Sequence, residues 1–147
     1  MDSRKIELDS FFKSYALRVN EALQGISPDI EKTTRSFASC FVEASPVGII
    51  CGQNDKKFKK TIPEGYERYR KIGITSMTIV SKSISLLNDF HAMVTVNWKS
   101  SFTKKDNTSG SILFDVIYML QTINNEYKIF AYITGDEEKA LKEQGLV

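Results

Sequence analysis

Few residues in this chain can carry chemistry, and their spacing narrows the choice. One histidine, His91, and two cysteines, Cys40 and Cys51, stand among 147 residues. A structural zinc site takes four Cys or His ligands, so three such residues, with no Cys-x-x-Cys pair, give no metal site to expect. Both cysteines are expected as buried free thiols, because an unpaired Cys behaves as a small hydrophobe. No cofactor is expected either. Among the 18 acidic residues, Asp115 is notable for its surroundings, the apolar run ILFDVIYML at 112–120. A lone carboxylate there is costly unless it is paired or neutral. Alternation groups it with Leu113, Ile117 and Met119, the row expected to face inward. Two arrangements would relieve the cost. A basic partner, with Arg18 as the candidate, would hold the charge and lower the pKa. An apolar wall and a tyrosine hydroxyl would instead favour the neutral acid, able to donate to a ligand carbonyl. The other row, Phe114, Val116, Tyr118 and Leu120, is then expected on the outside, an apolar strip that a homodimer would cover.

These groups are positioned by elements that periodicity predicts. Phe12, Tyr15, Ala16, Val19 and Leu23 recur at three- and four-residue steps, which predicts a helix over 9–24 stopped by Gly25. Ser27-Pro28 is a start signal for a second helix, with Ile30, Phe37 and Phe41 near one face. Residues 41–52 lose the helical period and gain Pro and Gly, the pattern of a short strand or bent hairpin. Pro63 marks a third helix running to Gly73, with Ile62, Tyr66 and Tyr69 on one side. Strands are predicted over 75–87, 90–99, 111–122 and 127–134. In the second of these, Ala92, Val94, Val96 and Trp98 alternate with His91, Met93, Thr95, Asn97 and Lys99, so Trp98 is expected to face the helices and His91 to face away. The tail from Gly135 reads as a short helix with acids first and lysines later, as the helix dipole prefers. Helices followed by a meandering antiparallel sheet imply one α+β domain over residues 1–147, with helices packed on one sheet face.

Charge and composition exclude several classes. The net charge is +2, from 20 basic and 18 acidic residues, which argues against a nucleic-acid partner. The run KKFKKTIPEGYERYRK at 56–71 is basic and aromatic, but Asp55, Glu64 and Glu67 dilute it into a solvated helix face. No stretch reaches the ~20 apolar residues of a membrane span. The N-terminal residues lack an apolar signal core, so a cytoplasmic setting is expected, and the Asn107-Thr108-Ser109 sequon carries no meaning there.

Three segments, FASCFVEASPVG at 37–48, FHAMVTVNW at 90–98 and FDVIYMLQTINNEYKIFAYITG at 114–135, resemble the nuclear transport factor 2-like superfamily, which includes ketosteroid isomerases and SnoaL-like polyketide cyclases. The resemblance implies a strongly bent, cone-shaped sheet around the helices, a pocket at the open end and a homodimer through the outer sheet face. It also turns Trp98, Phe130 and Tyr132 inward, where they would line a pocket suited to a planar or apolar ligand. Where ketosteroid isomerases carry an aspartate base, this chain has Ser45. Glu43, two residues earlier and on the same strand face, is the candidate for a displaced base, or else an exposed or capping carboxylate. Tyr15 falls about one turn before the position of that family's tyrosine, and Arg18 falls nearer to it. A single outward histidine disfavours a dehydratase mechanism that leans on histidines. Three functions follow as expectations. The first is a small-ligand-binding domain lacking the standard isomerase acid, with Trp98, Phe130, Tyr132, Arg18 and Ser45 at the ligand. The second is an isomerase, dehydratase or cyclase acting on a small, partly apolar carbonyl compound, with Asp115 or Glu43 as the acid–base group and Tyr15 or Tyr132 as the hydrogen-bond donor. The third is a protein-binding module.

Overall fold

The structure is a computed structural model that describes residues 2–27 and 29–147. Helix α1 spans Ser3–Leu23, six residues longer at its start than the periodic stripe predicts. Asp2 caps it, its side chain accepting from the Arg4 N–H at 2.9 Å, and Leu8 extends the buried stripe of Phe12, Val19 and Leu23 by one more turn. Gly25 follows the helix at φ +82°, the left-handed stop expected of it. Helix α2 covers only Ile30–Arg35 and is capped by Asp29, which accepts from the Lys32 N–H at 3.0 Å. Of the Ser27-Pro28 start, Ser27 lies before the helix and Pro28 falls outside the described residues. Phe37 and Phe41, expected on this helix, sit instead on strand β1, Phe37–Ser45, which turns back into β2, Gly48–Gln53. The predicted bent hairpin is therefore present but begins earlier.

Helix α3, Lys56–Ile72, begins at its cap Asp55 rather than at Pro63, which lies inside it. The missing Pro63 N–H frees a carbonyl on the exposed Lys59 side of the helix, where water can replace the lost bond. Gly73 ends the helix at φ +102° and lies so close to the Thr103 carbonyl that a Cβ would collide with it. Four long strands follow: β3 Ile74–Leu86, β4 His91–Thr103, β5 Ser109–Ile123 and β6 Glu126–Ile133. Helix α4, Glu137–Glu143, closes the chain.

The strands form one six-stranded sheet in the order β2-β1-β6-β5-β4-β3. Every neighbouring pair is antiparallel except β1 and β6. Irregularities in β3 and β6 add residues to one strand of a pair, which bends and twists the sheet so that it curves around the helices. The core lies between α1 and the concave face, where Leu8, Phe12, Val94, Val96, Trp98, Leu120 and Ile129 are all under 2% exposed. Burying each such side chain is worth roughly 1.5–3 kcal/mol. Among the described residues no helix is long and apolar enough to cross a membrane.

The register between β4 and β5 overturns one expectation outright. Trp98 lies opposite Phe114, Val96 opposite Val116, Val94 opposite Tyr118 and Ala92 opposite Leu120. Directly opposed residues share a face, so Phe114, Val116, Tyr118 and Leu120 face inward with Trp98. Leu113, Asp115, Ile117 and Met119 face out. Alternation sorts the two rows correctly. It does not say which is inside, because both are apolar. Both cysteines also depart from expectation: Cys40 and Cys51 are exposed on the β1–β2 hairpin, whose outer strand β2 is exposed along nearly its whole length.

Candidate functional site

Between α1, α3, α4 and the concave face lies a cavity of about 610 Å³, within the ~300–1,000 Å³ typical of small-ligand sites. Its deep wall is built by β4 and β5: Trp98 and Ser100 from one, Phe114, Val116 and Tyr118 from the other. The Trp98 indole N–H donates to the Tyr118 hydroxyl at 3.2 Å, which fixes both rings. Tyr15 from α1 and Tyr66 and Tyr69 from α3 cover the top, and Tyr132 from β6 stands at the side. Five of the six tyrosines of the chain thus meet in one cavity.

The parallel pairing of β1 and β6 sets Glu43 opposite Tyr132. Glu43 and Ser45 project from one face of β1 and both line the cavity, as their spacing of two requires. Burial pushes the Tyr132 phenol well above the usual range, and the adjacent Glu43 carboxylate pushes it further. Burial does the same to Tyr15, Tyr66 and Tyr118. For Tyr69 burial comes first and the charge of Glu137 second. Its hydroxyl lies 2.9 and 3.0 Å from the two Glu137 carboxylate oxygens. All five phenols are therefore neutral donors near neutral pH.

The mouth is formed by the hairpin turn at Val47 and by Asp136, Glu137 and Glu138 at the start of α4. Asp136 caps α4, accepting from the Lys139 N–H at 3.1 Å. Glu138 is paired with Arg68 from α3.

Of the residues singled out in the sequence, Glu43, Ser45, Tyr15, Trp98 and Tyr132 line this cavity, and four others, Asp115, Phe130, Arg18 and His91, lie elsewhere. Asp115 is exposed on the convex face, where it accepts from the Asn97 Nδ2 at 2.7 Å. Neither Arg18 nor a neutral-acid pocket surrounds it. Phe130 also faces out, 6.1 Å from the His91 ring. The irregularity in β6 moves it there: Leu120 pairs with Ile129 but Met119 pairs with Ala131. Phe130 is thus the extra residue and loses the parity it would share with Tyr132. Arg18 is buried behind the Tyr15 ring, 5.7 Å from its centroid. It donates to the hydroxyls of Ser14, Thr33 and Ser36 at 2.8–3.1 Å, and forms a structural clamp between α1 and α2. His91 faces away from the helices as expected, beside Asn88 and Gln121.

Sequence reasoning misses Ser100, Tyr118 and the α3 and α4 contributions. Ser100 continues the inward row two residues beyond Trp98 and can be found by that step. Tyr66 and Tyr69 are recognisable as one helical face, but nothing local says that this face meets the sheet.

No curated protein matches the chain. Its fold is shared with solved structures at low identity. One is an NTF-2 like protein of unknown function from Shewanella oneidensis MR-1, 12% identical over 90% of this chain and 99% of that one, with a TM-score of 0.65. Another is Aln2 from a Streptomyces species, 10% identical over 97% of each chain, with a TM-score of 0.68. A third is the association domain of C. elegans CaMKII, 10% identical over 92% of this chain and 100% of that one, with a TM-score of 0.65. At these identities the similarity establishes the fold and nothing of the chemistry. Residues 6–137 match the family described as NTF2-like protein (DUF6841), and the chain belongs to that family.

Proposed function

We propose that this domain binds a small, largely apolar or aromatic molecule in the cavity between its helices and curved sheet. The observation that carries the reading is the lining: five tyrosines and the only tryptophan around about 610 Å³, beside a half-buried carboxylate, Glu43. Aromatic walls with a few convergent polar groups are the usual composition of a ligand site. The single tryptophan makes the test direct. A diverse small-molecule library is screened by thermal shift, and hits are titrated against Trp98 fluorescence. A ligand at 100 times its Kd stabilises the fold by about 2.7 kcal/mol. The expected result is compounds that both raise Tm and change the fluorescence saturably, with binding lost in Ser45→Phe, which fills the cavity wall. A library with no such compound overturns the reading.

A second reading, acid–base catalysis on a small carbonyl compound, is favoured by the pairing of Glu43 with Tyr132. The carboxylate would accept a substrate proton and the phenol would donate to the carbonyl oxygen. Asp115, on the outer face, has no part in it. Loss of turnover in Glu43→Gln with ligand binding retained would separate this reading from simple binding.

We also infer a homodimer through the convex sheet face. The residues that support it are not those of the inward row but Leu113, 64% exposed, Ile133, 46% exposed, and their neighbours Ile117, Met119 and Phe130. Light scattering at micromolar concentration tests this, with twice the 16.7 kDa chain mass expected and a clean monomer counting against it.

A further inference from the structure

We propose that the ligand of this cavity is a small organic cation, an ammonium carrying an apolar or aromatic group, with Glu43 as its counter-charge. The inference rests on the reading of the cavity as a ligand site and adds the sign of the ligand's charge.

Charge is segregated in this molecule. The chain has slightly more basic than acidic residues, yet the cavity lining carries Glu43, Asp136, Glu137 and Glu138 and, among the described residues, no Lys, Arg or His. The three acids at the mouth are already engaged: Asp136 caps α4, and Arg68 and Tyr69 hold the two glutamates. Glu43 differs. It is half-buried, its neighbour is the neutral Tyr132 phenol, and it makes no ion pair among the described residues. A neutral phenol does not balance the carboxylate's charge, and a bound ammonium would supply the counter-charge that no residue of the lining provides. The walls suit the same ligand. Tyr15, Tyr118, Tyr132 and Trp98 present aromatic rings, whose faces attract cations most strongly when both are desolvated.

A second observation points into the cavity. Ser100 is 7% exposed and lines the deep wall, and its hydroxyl has no hydrogen-bond partner among the described residues. No fully buried side-chain polar atom among those residues lacks a partner, so the Ser100 hydroxyl is not sealed in the core but opens on the cavity it lines. It would serve a polar atom of the ligand at the end away from Glu43. Of the positive charges around it, Arg18 lies behind the Tyr15 ring and outside the lining, where three hydroxyls hold it, and Arg68 at the mouth is engaged by Glu137 and Glu138. An anionic ligand would therefore meet Glu43 with no base to offset it, while a neutral one would leave Glu43 as it is.

The test compares three compounds that share a benzyl group, benzyltrimethylammonium, benzyl alcohol and phenylacetate, titrated against Trp98 fluorescence in the intact protein. The ammonium compound is expected to bind at least about tenfold more tightly than the other two. That preference should fall below about threefold in Glu43→Gln and persist in Glu43→Asp, with folding checked by circular dichroism. Three results would overturn the proposal: the alcohol or the carboxylate binding as tightly as the cation, the preference surviving Glu43→Gln, or none of the three binding while library compounds do. In each of these the cavity remains a ligand site of a different chemistry. If the library also yields nothing, the ligand-site reading itself falls. The wild-type comparison decides the sign of the charge even if a variant fails to fold.

Discussion

Glu43 and Asp115 are both single carboxylates on apolar strands of one sheet, and they face opposite ways. Glu43 projects from β1 into the concave side beside Tyr132 and has no ion-pair partner among the described residues. Asp115 projects from β5 into solvent and accepts from Asn97 on the neighbouring strand. Composition around the two is similar, so composition does not decide their fates. Register does. β5 is fixed by lying opposite β4, whose alternation leaves no ambiguity about which side is apolar, and β1 is fixed by its parallel pairing with β6. A carboxylate in an apolar strand is a site candidate only once its strand's neighbour is known.

The largest expected effect tests whether the two faces differ in energy as they do in exposure. Trp98 is 1% exposed and packs among Tyr15, Tyr118 and the strand core. Trp98→Ala removes a large buried side chain and should cost about 3–5 kcal/mol in urea unfolding. Leu113→Ala, on the convex face of the next strand, should change the stability of dilute protein by less than about 0.5 kcal/mol. Equal costs would mean that the convex face is as buried in solution as the concave one, and the distinction between them would collapse.

How much of this is legible in the sequence follows the same division. The α1 stripe and the β4 row declare themselves, since each has one apolar and one polar side. Sequence signals place the third helix late because Pro63 is a familiar start signal, while Asp55, the true cap, sits in a charged run that hides it. Both rows of β5 are apolar, so parity alone does not orient it, and the expectation that puts Asp115 in the pocket also puts Tyr118 outside. The extra residue in β6 is invisible to any alternating pattern, and it separates Phe130 from Tyr132. Within the site, Glu43, Ser45, Tyr15, Trp98 and Tyr132 are recognisable, because each lies on an element whose face is readable or implied by the fold. Tyr66, Tyr69 and the acids of α4 come from distant parts of the chain and meet only through tertiary packing.

An intermediate effect concerns the tyrosines, which the concave side concentrates. Their folded-state pKa values are raised chiefly by burial. Tyr127, whose hydroxyl donates to Glu7 at 2.7 Å, is pushed up to about 12 by burial and by that carboxylate. A raised pKa means that the folded state holds protons the unfolded state has released. The associated stability is complete below the unfolded value of about 10 and is lost as pH climbs from there through the folded values, each unit of difference being worth about 1.4 kcal/mol. Phenolate absorbance near 295 nm should therefore appear together with cooperative unfolding above about pH 10. Early, non-cooperative ionisation of most tyrosines would show that the cavity is open to water.

The smallest effect returns to Asp115. The Asn97–Asp115 pair is directly cross-strand and exposed, and such pairs contribute roughly 0.2–1 kcal/mol. Asp115→Asn keeps an acceptor for the Asn97 amide and removes only the charge, so the stability of dilute protein should move by less than about 0.5 kcal/mol. Binding in the cavity should not change, because the side chain is on the other side of the sheet. A loss of several kcal/mol, or altered ligand binding, would mean that β5 is turned over relative to this structure and would restore Asp115 to the pocket. The same substitution also reports on the convex face. If a second copy covers that face, the carboxylate loses water on association and is left with a single amide donor, which costs the dimer free energy. Asp115→Asn should then tighten the dimer, by roughly threefold, while Leu113→Asp weakens it by more. Sedimentation at several concentrations would resolve the two shifts. If both variants leave the association constant where it was, any dimer forms elsewhere, and the apolar convex row belongs to a monomer surface.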